Sequence, residues 1–170
     1  MQRDFVRKWW RRHSPRLLAF CWIAGLIAGA AYSCFSADFC TVLIRRSTAQ
    51  GMSFWGMMTV TTLPFLLSAL AISLSEPWLL LVFSTFKAFS FSFCAWGVCL
   101  AFGQSSWLVL FLFLFSDFLL LPMLYFYWLR HIRGQAVTSL WMFSGLLFIA
   151  LFVGMIDYRF ISPFLASLVQ

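Results

Sequence analysis

Residues 77–103 read PWLLLVFSTFKAFSFSFCAWGVCLAFG, an apolar stretch interrupted near its middle by one charge, Lys87. Ser105 to Leu129 repeats the pattern with Asp117 at its centre. A helix rising about 1.5 Å per residue needs roughly 20 apolar residues to cross the hydrocarbon core, and both stretches are long enough. A charge at bilayer depth costs roughly 2.5–3.5 kcal/mol, so it must face protein or water and find a partner. These two stretches therefore specify a membrane protein with a polar spot inside it.

Composition extends that reading to the whole chain. Of 170 residues, 63% are hydrophobic and 10% charged, with a mean hydropathy of +0.92. A water-facing surface needs about a quarter of its residues charged, so lipid is the solvent. The other apolar runs are Leu17–Ala37, Gly51–Ser75 and Ser139–Ile156, giving about five spans at 17–37, 51–75, 77–103, 105–129 and 139–156. Their apolar character is continuous rather than alternating, which excludes a barrel and predicts an all-α polytopic membrane helix bundle in a single domain, 1–170. Pro64 and Pro122 are expected to kink spans two and four.

Lys and Arg set the orientation. Arg3, Arg7, Lys8, Arg11, Arg12 and Arg16 precede span one, and Arg130 and Arg133 follow span four. Both places are expected to be cytoplasmic, with 157–170 as an external tail; Arg45 and Arg46 in the first external loop dissent. The basic segment 1–16, with Trp9 and Trp10, is read as a topology determinant that meets anionic membrane lipids, not nucleic acid. Span one is longer than the roughly 7–15 apolar residues of a signal core and is read as permanent.

Chemical signatures are sparse. Cys21, Cys34, Cys40, Cys94 and Cys99 form no CxxC pair, and His13 and His131 lie away from them, so no metal or cofactor site is expected. Cys34 and Cys40 are close enough in sequence for a disulfide but are treated as free. No HExxH or GxSxG occurs, and Asp117 is the only carboxylate within the spans as drawn, so no catalytic residues are assigned. Gly25 and Gly29 form a GxxxG that favours close helix packing within the chain over a homo-oligomer contact. A short turn joins spans three and four. Counting from their cytoplasmic ends puts Lys87 and Asp117 roughly 16 and 20 Å deep, within reach of an ion pair. That pair either locks two helices or forms a polar site for an ion, ligand or partner.

Three stretches carry a resemblance: Phe83-Ser84-Thr85-Phe86-Lys87-Ala88-Phe89, then Ser116-Asp117-Phe118-Leu119-Leu120-Leu121-Pro122, then Ile156-Asp157-Tyr158-Arg159-Phe160-Ile161-Ser162-Pro163-Phe164. Together they resemble the stage II sporulation protein M family, from about Ser68 to the C-terminus. The family often has a longer first external loop and a Gly where this chain has Ala88. The resemblance implies a non-catalytic bacterial cell-membrane scaffold that localises a glycan-strand lyase and an amidase/endopeptidase at the septal membrane during engulfment. It implies external docking through Asp157, Ser162 and Pro163. The residues themselves read Ser162-Pro163 as an N-cap and first helical residue, predicting a short interfacial helix over Pro163–Val169. Two further readings stand beside it. One is a small transporter or channel using Lys87 and Asp117; the other is a membrane subunit that couples to an ATPase through Arg130–Gly134.

Overall fold

The computed structural model describes residues 2–50, 53–73, 77–103, 106–132 and 140–169. The expected turns at Glu76 and Gln104, and Arg133 and Gly134 of the loop after span four, lie outside them. The fold is all-α. In chain order the helices are α1 (Gln2–Phe35), α2 (Ala37–Gln50), α3 (Phe54–Ser73), α4 (Pro77–Phe102), α5 (Ser106–Phe113), α6 (Phe115–Ile132), α7 (Leu140–Ile156) and α8 (Ser162–Val169). A π-helical turn, Asp157–Ile161, links α7 to α8 without a break. Helices are the form that satisfies every backbone group without water, which is what a lipid solvent demands.

Among the described residues, four helical segments are long and apolar enough to cross a membrane: Pro15–Phe35, Phe54–Ala71, Trp78–Phe102 and Met142–Leu168. A fifth candidate is the bent pair Trp107–Phe113 and Phe115–Arg130, a broken span or a re-entrant loop that turns by 55° at Leu114. The chain is a multi-pass membrane protein. Its large apolar side chains point outward, as at Phe20, Phe86 and Phe148, because the outer face meets lipid tails rather than water.

Three features depart from expectation. The 38–50 segment, expected to form only an external loop or a short surface helix, is a helix that packs along α4 and buries Cys40, Ile44 and Thr48, so it is built into the bundle. The last span does not end at Ile156: its helix continues through the π turn, and Asp157 is inside the bundle at 5% exposure rather than at the start of a free tail. Helices α3 and α6 continue through Pro64 and Pro122, and a 55° bend falls at Leu114, where no proline stands.

Close backbone approach organises the bundle. Helices α1 and α4 run parallel, with Gly25 against Thr85 and Ala88 and Gly29 against Phe89 and Ser92. Ser33 extends the seam by donating to the carbonyls of Gly29 and Phe93. Helix α3 packs antiparallel to α7, where Gly154 admits Thr61. Two apolar cores result. One gathers Leu18, Phe65, Leu80, Leu124 and Trp128 towards the Pro77 end of α4, and the other gathers Cys40, Ile44, Val98 and Ala101 towards its Gly103 end. Lys87 falls between Leu80 and Val98, so the polar zone separates two apolar ones.

A polar contact joins α3 and α6 inside the first core. The indole Nε1 of Trp128, 1% exposed, donates to Ser68 Oγ at 2.7 Å, and Ser68 Oγ donates to the Pro64 carbonyl at 2.6 Å. Trp128→Phe is expected to leave Ser68 without that donor and to lower stability by about 1–2 kcal/mol in a detergent-unfolding titration. A loss under about 0.3 kcal/mol would mean the bond does not hold α3 to α6.

Candidate functional site

Lys87 and Asp117 meet. Lys87 Nζ lies 2.6 Å from Asp117 Oδ1, and the side chains are 16% and 20% exposed. The local sequence explains the placement. Ala88, the small neighbour of Lys87, is fully buried beneath Gly25 of α1, which turns the Lys87 side of α4 towards α6. Asp117 stands in the first turn of α6, where the positive end of the helix dipole favours a carboxylate.

Asp157 joins them from the π turn. Ser116, the residue before Asp117, hydrogen-bonds its side chain to Asp157, and both are buried. All three charged groups line one cavity of about 230 Å³, together with Thr48 of α2 and Ser90 and Cys94 of α4. Among the described residues, Asp157 has no ion pair with a cation; Lys87 bonds to Asp117 instead. A second cavity of about 150 Å³, mostly apolar, reaches Lys87 from the side of Phe83 and Trp128.

Both irregular backbone elements of the span region open onto the larger cavity. Leu112, Phe113 and Leu114, at the bend between α5 and α6, form one wall, and Asp157 and Ile161 of the π turn form another. Single-turn π insertions occur frequently at functional sites, and broken helices at membrane depth are tolerated where they line a cavity.

Asp157 thus changes one premise. Two carboxylates, not one, lie within the spans. A dyad for acid–base chemistry would have to share a proton between them, whereas Asp117 is held by the Lys87 ammonium. Among the described residues no group of three His, Cys, Asp or Glu side chains is placed to hold a metal ion.

The remaining expected residues fall as follows. Gly25 and Gly29 are on the α1–α4 seam, against neighbours in the same chain. Of the three expected docking residues only Pro163 is exposed: Asp157 is buried and Ser162 lines the cavity. Ser162 has helical dihedrals of φ −61° and ψ −45°, so it continues a helix rather than capping one. Cys34 and Cys40 are both free thiols, one exposed and one buried. Arg45, a dissenter from the charge rule, donates to the Ala101 carbonyl at 2.9 Å and closes the C-terminal end of α4. Arg130 lies over the Phe126 ring at 5.9 Å.

Thr48, Ser90 and Ser116 are the site residues that sequence reasoning missed, and Asp157 was expected at an external docking edge rather than in the cavity. For Asp157 a signal existed. The run FISPFLASLV at 160–169 is apolar again, so Asp157 and Arg159 punctuate one long span instead of ending it.

Comparison of the chain with family models, with curated proteins and with solved structures finds no match.

Proposed function

We propose that this protein is a non-catalytic scaffold of the bacterial cell membrane, of the stage II sporulation protein M type. In this reading it localises a glycan-strand lyase and an amidase/endopeptidase at the septal membrane during engulfment. The observation that supports it is convergence. The three stretches that carry the resemblance are far apart in the chain, yet Lys87, Ser116, Asp117, Asp157 and Ser162 from all three line one cavity. Residues that share a motif pattern and a site are more simply explained as one functional unit than as three coincidences.

The buried charges have a definite part in this role. They hold α4, α6 and the π turn in register, and so set the outer surface that partners meet. With Asp157 and Ser162 turned inward and 142–168 running as one apolar segment, the docking edge moves to the exposed side of α2, such as Phe39 and Val42.

Cross-linked pull-down from native membranes of sporulating cells is expected to enrich both classes of wall hydrolase over an unrelated multi-pass control. Recovery of a nucleotide-binding ATPase without hydrolases would replace the scaffold with the transporter-subunit reading. A transport role for the chain itself draws on one specific observation, the bent span beside a polar cavity at membrane depth.

A further inference from the structure

We propose that the cavity beside Asp157 is a binding site for a monovalent cation, either an alkali ion or the head of a small primary ammonium compound. This goes beyond the scaffold reading and does not depend on it.

The charges of the lining lead there. Asp117 and Asp157 contribute two carboxylates against one ammonium, and the ammonium of Lys87 is 2.6 Å from Asp117. Asp157, 5% exposed, has the Ser116 hydroxyl as its hydrogen-bond partner and no ion pair with a cation among the described residues. A carboxylate removed from water is costly unless a positive charge compensates it. The titratable and charged groups that share the cavity with Asp157 are Lys87 and Cys94 from α4 and Asp117 from α6. One further positive charge balances the set, whereas an anion would add to the excess.

The free valences are those of oxygen acceptors. Thr48 donates its hydroxyl hydrogen to the carbonyls of Ile44 and Arg45, at 3.0 and 2.9 Å, so its oxygen lone pairs remain for the cavity. Ser116 is in the same position once it donates to Asp157. Hard oxygen donors suit alkali ions and ammonium groups. A divalent ion suits the site less well, since calcium takes about 6–8 oxygens, and Asp117 is already engaged by Lys87.

Size agrees. About 230 Å³ exceeds by several times the roughly 30 Å³ that one water occupies, so an alkali ion can keep part of its hydration, or a few-atom ammonium compound can enter. The π turn and the bend at Leu114 bring Asp157 and Ser116 together on the lining of this space.

The test uses the full chain in lipid nanodiscs at near-neutral pH. Sodium, potassium or methylammonium chloride is titrated against N-methylglucamine chloride at constant ionic strength, and the unfolding midpoint temperature is followed. At about tenfold saturation at least one of the three cations is expected to raise it by about 3–6 °C, and Asp157→Asn is expected to abolish that rise. Thr48→Val should keep the rise but shift its half-point to higher concentration. The arms separate the sources: a response confined to sodium or potassium identifies an alkali ion, and one confined to methylammonium identifies an amine. No rise with any cation, or an undiminished rise in Asp157→Asn, overturns the proposal. If Asp157→Asn does not fold, an unchanged half-point in Thr48→Val overturns it. A proton as sole occupant would give a midpoint that depends on pH and not on the cation, which also overturns it. None of these outcomes bears on the hydrolase pull-down.

Discussion

Gly25→Val is expected to destabilise the protein by about 3 kcal/mol or more. A Cβ built at Gly25 collides with the Thr85 carbonyl oxygen and lies 2.9 Å from Ala88 Cβ and 3.2 Å from the Phe89 nitrogen. Two of those three atoms are backbone, which cannot rotate aside. At Gly29 the added carbon meets the Phe89 carbonyl in the same way, with Ser92 Cβ at 3.0 Å. Valine must therefore push α1 away from α4 along the most extensive helix contact of the bundle, at a cost of about 3 kcal/mol or more. Gly145 supplies the control, because nothing lies within 4 Å of a Cβ placed there. Gly145→Ala should stay within about 0.5 kcal/mol of the parent. Reversible unfolding in mixed micelles measures both. Equal stabilities for the two variants would remove the glycine seam as the basis of the fold.

The second large effect is expected at the ion pair. Asp117→Asn leaves the Lys87 ammonium facing a neutral amide at membrane depth, and Lys87→Met leaves Asp117 and Asp157 as two carboxylates on one cavity. Each single change is expected to cost about 2–4 kcal/mol, below or within the roughly 3–5 kcal/mol of a fully buried pair because both side chains retain some exposure. The double variant removes both charges and should recover at least about 2 kcal/mol relative to the sum of the singles. Additive losses would show that the two groups do not act on each other. Lys87→Met should be the worse of the two singles, since it uncovers the two carboxylates together.

The polar pair and the glycine seam were legible because lipid leaves so few options. A charge in the middle of 77–103 must find a partner, and the short turn to span four limits where that partner stands. Gly25 and Gly29, four apart, mark a groove on any straight helix. The fold class followed from the continuous apolar runs for the same reason. The rest was hidden by local rules that point the wrong way. Asp157, Tyr158 and Arg159 look like an exit from the membrane, because hydropathy averages over faces and does not register a carboxylate turned inward. Leu114 lies in the run Leu112-Phe113-Leu114-Phe115, which contains neither proline nor glycine, so nothing local announces its bend. Segment 38–50 carries Asp38, Arg45 and Arg46, which read as a loop or a short surface helix; in the bundle, Arg45 reaches the end of α4 and the apolar side of the helix is buried.

The parallel seam of α1 and α4 also has a consequence in time. Ser33 and the Phe93 carbonyl it reaches are 60 residues apart in the chain. At about 5–20 residues per second, synthesis takes several seconds to deliver α4 after α1 has emerged. Throughout that interval the glycine groove of α1 has only lipid or a foreign helix to rest against. The newborn chain is thus open to mispairing, and a membrane insertase that shelters α1 until α4 arrives would raise the yield of folded protein without altering its final stability.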